Sequence, residues 1–186
     1  MMHSMTPSRP GYEYLTAYML GKVIQDLTVE FCQCWVDPRS RTTDQMTQAA
    51  RSNPQNIAEG YTGESLASYI KLAGVAHGSN EELGLDYEDF LRQHRLLIWP
   101  KDDPKVRKFR EFRVVWTGPK SLNTPTLPNN PTEAANLMLT FCQMESYLLH
   151  KLVTSLEEKH TREGGYSENL LKKRLEYKKQ IYERRF

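Results

Sequence analysis

Glu157 and His160 stand three residues apart, the Glu-x-x-His spacing from which carboxylate-bridged two-metal centres are built on facing helices. Such a centre needs a second Glu-x-x-His and a glutamate from each of two further helices, and no second copy of the motif occurs. His77 and His94 lie on one helical pattern, about 25 Å apart by helical rise, too far to share an ion. Cys32, Cys34 and Cys142 make a C-x-C pair and one distant thiol. That set builds neither a disulfide framework nor a zinc site, so free thiols are expected. There is no G-x-S-x-G, no cysteine with a histidine signal nearby and no glycine-rich phosphate loop. The expectation is a non-enzymatic protein with no catalytic residue, no metal site and no cofactor.

The residues with functional content are cations interleaved with aromatics. The run Lys105-Val106-Arg107-Lys108-Phe109-Arg110-Glu111-Phe112-Arg113 and the tail opening at Lys172-Lys173-Arg174 combine phosphate neutralisation with base stacking, which is how single strands are bound with little sequence preference. Lys105, Arg107, Lys108, Arg110, Arg113, Lys172, Lys173 and Arg174 are the expected contacts to RNA or DNA. The net charge is only +2, but it is segregated. Residues 64–90 hold six acids (Glu64, Glu81, Glu82, Asp86, Glu88, Asp89) against Lys71. Residues 99–120 and 167–186 each hold seven bases against three acids. The rival reading is that the basic segments are solvated faces, or that they dock on the acidic stretch of the same or a neighbouring subunit.

The elements that must carry these residues are helical. Leu20, Ile24, Leu27 and Phe31 recur at three and four over a first helix that ends before Asp37-Pro38. A second is expected from a cap at Thr43 or Asp44 to Gly60 and Gly63, with Pro54 forcing a kink or a restart. The third shows Leu66, Ile70, Ala73, His77, Asn80, Gly84, Tyr87, Leu91, His94 and Ile98 as its seam, unusually polar for a bundle helix. The fourth opens at Pro131-Thr132-Glu133 and ends at Gly164-Gly165. Between the third and fourth lies a proline-rich crossover with one short helix expected over residues 106–115. The fold class expected is all-α: an antiparallel up-and-down four-helix bundle, residues 11–165, with a basic crossover at 99–130 and a basic helical tail at 166–186. No apolar run reaches membrane-span length, and residues 1–7 lack the pattern of a secretory signal, so the expected location is cytoplasmic with no membrane partner.

Within the second helix, Ser52-Asn53-Pro54-Gln55-Asn56-Ile57-Ala58-Glu59-Gly60-Tyr61 resembles the S-x-P-x-N-I-A-E-G-[FY] stretch of the small four-helix-bundle proteins encoded in intervening sequences of bacterial large-subunit ribosomal RNA genes. Gly78-Ser79-Asn80-Glu81-Glu82-Leu83 is similar to that family's G-S-x-x-E-L on the third helix. The resemblance covers residues 12–97 and implies a ring-forming bundle, commonly a homopentamer. It is related to the basic pentameric accessory protein of diversity-generating retroelements, which works with a reverse transcriptase and nucleic acid. The crossover and tail depart from the compact members and resemble the longer "four-helix-bundle suffix" subgroup. Read physically, Asn56 and Glu59 share a helix face and Gly60 admits a close neighbour. Asn56 and Glu59 are expected to bond across to Ser79 and Glu82, a polar clasp that sets the register of the two helices.

Overall fold

The structure, a computed structural model, describes residues 9–183. Arg184 and Arg185 of the basic tail, and residues 1–7, lie outside the described residues. A short 3-10 turn, Gly11–Tyr14, leads into α1 (Thr16–Trp35). Leu20, Val23, Ile24, Leu27 and Phe31 form one buried stripe on α1, as their spacing requires. Pro38 disfavours helical geometry at the residue before it, and α1 closes two residues earlier on an extended Val36 whose N–H donates to Cys32 O.

α2 (Arg41–Thr62) is capped by Ser40, whose Oγ accepts the Thr42 N–H at 3.1 Å, rather than by Thr43 or Asp44. It runs unbroken through Pro54, where a kink or restart is expected from the sequence. A proline inside a helix costs one backbone bond. Here Asn53, Pro54 and Ile57 are all buried on one face, and that burial holds the turn.

α3 (Leu66–Gln93) buries Tyr69, Ala73, Ala76, Asn80, Leu83, Tyr87, Phe90 and Leu91. The true seam is thus rotated from the expected one: His77 and Gly84 are half-buried, and His94 and Ile98 are exposed. α3 stops five residues short of Ile98 because Arg95 turns left-handed at φ 55° and lets the Leu96 N–H reach Leu91 O at 2.8 Å. The crossover contains α4 (Pro104–Arg110), shorter than the expected 106–115, opened by Asp103, which accepts the Lys105 N–H at 2.8 Å. α5 (Pro131–Glu163) is capped by Asn130 and ends at Gly164, whose φ of 78° favours glycine. α6 (Tyr166–Glu183) follows after Gly165.

α1 packs on α2 and α5, α3 packs on α2 and α5, and α4 lies on α5. The protein is therefore all-helical, with five helices packed together. Among the described residues there is no strand, only a lone antiparallel bridge between Trp116 and Leu122, and no helix long and apolar enough to cross a membrane. The main core joins Leu20, Ile24, Phe31, Met46, Leu83, Tyr87, Leu91, Met138 and Phe141. Phe31 sits edge-on to Tyr87 and Phe90, each at 4.9 Å between centroids.

Candidate nucleic-acid interface

The basic crossover is tied to α5 at its start and to the Gly11–Tyr14 turn at its middle. Asn136, 2% exposed on α5, accepts the Trp99 N–H at 2.8 Å and donates to Leu97 O at 2.8 Å and to Thr132 O at 2.7 Å. Two of these bonds satisfy an extended stretch that has no strand partner, and the third closes on α5 itself. Further on, Asn123 accepts from the Val115 N–H and donates to Arg113 O at 2.8 Å. The Trp116 indole N–H donates to Glu13 O at 2.9 Å, and the Arg9 guanidinium lies 4.2 Å over the same ring.

On that frame α4 buries Val106 and turns its cations outward. Phe109 stacks on Trp99 at 6.3 Å with an interplanar angle of 20°. Lys105 Nζ sits 4.8 Å over the Trp99 ring and pairs with Glu133 at 3.0 Å, so its charge is partly spent at home. Arg107 and Lys108 are exposed and have no ion-pair partner among the described residues. Arg110 donates to Gln143 at 3.3 Å, and Arg113 donates to Arg110 O at 2.7 Å and Phe112 O at 2.9 Å. Both arginines line an open cleft of about 630 Å³ whose walls include Leu20, Phe112, Met144 and Leu148, with Tyr147 at its edge. A volume of that order suits a small planar or apolar group, and the two guanidinium groups favour an anion beside it.

The second basic group is separate. Lys172, Lys173 and Arg174 ride on α6, where every residue from 170 to 182 is exposed, and α6 does not pack on α4. Lys105, Arg107, Lys108, Arg110 and Arg113 are brought together; the three α6 cations are not brought to them.

At the expected clasp, the bond between α2 and α3 runs through Ser52. Ser52 Oγ and Ser79 Oγ are 2.9 Å apart, and Asn56 donates to Ser52 O at 2.8 Å and Ser52 Oγ at 2.9 Å. Asn56 thus reaches Ser79 through its neighbour, while Glu59 and Glu82 are exposed and no hydrogen bond links their side chains. Gly60 does admit a close approach: a Cβ there would lie 2.4 Å from the Tyr69 ring.

The buried polar contacts lie elsewhere. Glu145 of α5 is fully buried and accepts from Asn53 Nδ2 of α2 at 3.2 Å. Burial pushes its carboxyl well above the ordinary range, and the Asn53 bond only partly offsets this. Asn80 of α3 donates to Cys142 O at 2.9 Å and Ser146 Oγ at 2.8 Å. Tyr87 donates to Thr28 Oγ1 at 2.9 Å. Glu145 was visible in one respect, because it falls four after Phe141 and four before Leu149, inside the apolar row of α5.

The three cysteines are free, with Cys32 and Cys142 buried and Cys34 exposed. Burial, helped by Asp86, raises the Cys32 thiol to about 11, which leaves it a poor nucleophile. Among the described residues no group of three or more His, Cys, Asp or Glu is placed to hold a metal ion. No family model matches the chain, and comparison with curated proteins gives no match.

Proposed function

We propose that this chain is a non-enzymatic, self-associating four-helix-bundle protein that binds a nucleic-acid strand through its basic crossover. In this reading α1, α2, α3 and α5 are the antiparallel up-and-down bundle, the resemblance to the intervening-sequence proteins is one of descent, and the assembly is a ring, with five subunits the expected number. A cytoplasmic accessory role beside a nucleic-acid enzyme such as a reverse transcriptase fits the same surface by fold-level analogy. The observation that carries the reading is the pair Arg110 and Arg113 lining the apolar cleft with Phe112 and Tyr147, with Arg107 and Lys108 exposed on the short helix α4. Guanidinium groups neutralise phosphates, and aromatic or apolar walls take unstacked bases, without any need for sequence readout.

The test is fluorescence anisotropy of a labelled single-stranded oligonucleotide against rising salt. Four phosphate contacts give a slope of about −3 on a double-logarithmic plot, or about 50-fold weaker binding between 50 and 200 mM salt. Arg107→Glu with Lys108→Glu should flatten that slope by one to two, to about −1.5. Absence of binding to RNA and DNA at low salt removes the nucleic-acid reading. A scaffold whose contacts are protein to protein then remains, favoured by the uncovered apolar residues of α6.

A further inference from the structure

α6 carries apolar side chains that nothing covers: Leu170, Leu171, Leu175 and Tyr177 are between 51% and 65% exposed. At about 3.6 residues per turn they fall into two ridges. Leu170, Tyr177 and Ile181 form one and Leu171, Leu175 and Tyr182 the other, with Arg174 and Lys178 on the line between them. Neither cation has an ion-pair partner among the described residues. An isolated helix of this length is marginal in water, so this face calls for a cover.

The complementary surface lies between α3 and α5. A shallow groove of about 80 Å³ there is edged by Glu81 and Glu88, with Gly84 at its floor and Leu85 exposed by 61% beside it. A Cβ on Gly84 would meet only Cys142 Cβ, at 3.7 Å, so the α3 backbone is bare at this point and open to a close neighbour. Glu88 has no ion-pair partner among the described residues.

We propose that α6 of one copy lies in the α3–α5 groove of a second copy, with Arg174 and Lys178 facing Glu81 and Glu88 and the leucine ridges on Leu85 and the groove walls. The occupant cannot be the same chain's own α6. Gly164 and Gly165 are the whole link between α5 and α6, so a helix doubled back along α5 brings Arg174 about 15 Å from the turn. Cys142 and Ser146, which line the groove, lie 22 and 18 residues before Gly164, about 27 to 33 Å from it. Arg174 of the same chain falls about 12 Å short of the nearer of these and Lys178 about 6 Å short, so the two cations cannot face Glu81 and Glu88 together. The contact joins two different patches, so two copies can exchange α6 reciprocally, or copies can link head to tail into a ring wherever the rotation closes. Lys172 and Lys173 point off the docking face.

The proposal rests on the self-association in the functional reading and gives it an interface. Light scattering after size exclusion, in low salt, compares wild type with R174E/K178E, with E81K/E88K, with L171D/L175D and with the fourfold charge-swapped chain. The wild type should run as a multiple of 21.7 kDa, each double variant at 21.7 kDa itself, and the fourfold variant as an assembly again. Circular dichroism melting checks that each variant keeps its folded core, which α6 does not help to build. A monomeric wild type overturns both the docking and self-association. An assembly that survives the reversals, or a fourfold variant that stays monomeric, overturns the docking alone.

Discussion

Glu145 is the side chain whose protonation is most closely bound to folding. Its Oε2 and the Asn53 Oδ1 are both buried without a partner, while Asn53 Nδ2 already donates to Oε1. A neutral carboxyl supplies a donor on the very pair that lacks one, and an ionised one buries a bare charge. Desolvation keeps this group protonated in the folded chain above 4.5, the ordinary value at which the unfolded chain releases its proton. Between those two points the folded state holds one proton more, so its stability falls as pH rises from the unfolded value toward the raised folded one. Asp86, whose carboxyl is also raised by burial and then by Glu82 and Asp89, acts in the same direction. Glu145→Gln keeps the shape and removes the titration. Urea unfolding across pH 5 to 9 should show wild-type stability declining with pH and the Gln variant declining less. A wild-type slope that Gln leaves unchanged would show that the acid is not the group being read.

At the scale of elements, α2 meets α3 closely at Gly60. Gly60→Ala gains about 1 kcal/mol of helix propensity but sets a methyl 2.4 Å from the Tyr69 ring, which is buried and packed edge-on against Tyr61. Overpacking of that kind costs about 1 to 3 kcal/mol, so the net expectation is a loss of up to about 2 kcal/mol. It should appear as a lower urea midpoint with an unchanged slope. The same crossing shows what the residues reveal and what they conceal. The periodicity of α1 and α5, the caps around Pro131 and Gly164, and the closeness of Gly60 to its neighbour follow from types and spacing. The rotation of α3 does not, because small and polar residues occupy both candidate stripes and only packing against α2 and α5 selects Tyr69, Ala76 and Leu83 over Ile70, His77 and Gly84. The crossover cations were legible as a run. The cleft beside them was not, since it is made by Leu20, Met144 and Leu148 from two other helices. The cross-helix bond falls on a different side chain from the expected Asn56 for a similar reason. Asn56 folds back on its own helix, leaving Ser52 as the group that faces Ser79.

Across the whole molecule, charge and order divide the same way. The acids of α3 form one face, the crossover cations another, and α6 leaves the packed helices with its own mixed surface. Stability should be divided likewise. α1, α2, α3 and α5 all contribute to the main core, so the amides over that core should open only with global unfolding. The crossover has little regular structure, yet Asn136 and Asn123 give its backbone partners and Val114 and Leu127 are buried, so it should exchange more slowly than a solvated loop of its length. α6 buries nothing of its own, and as a lone helix it forms and melts within microseconds. Hydrogen exchange followed by mass spectrometry should therefore find α6 unprotected in the monomeric R174E/K178E variant and protected in the wild-type assembly, with α5 equally protected in both. Protection of α6 in the monomer to the level of α5 would mean that the helix is held by its own chain, and the division of the molecule into a packed core and a donated arm would fail.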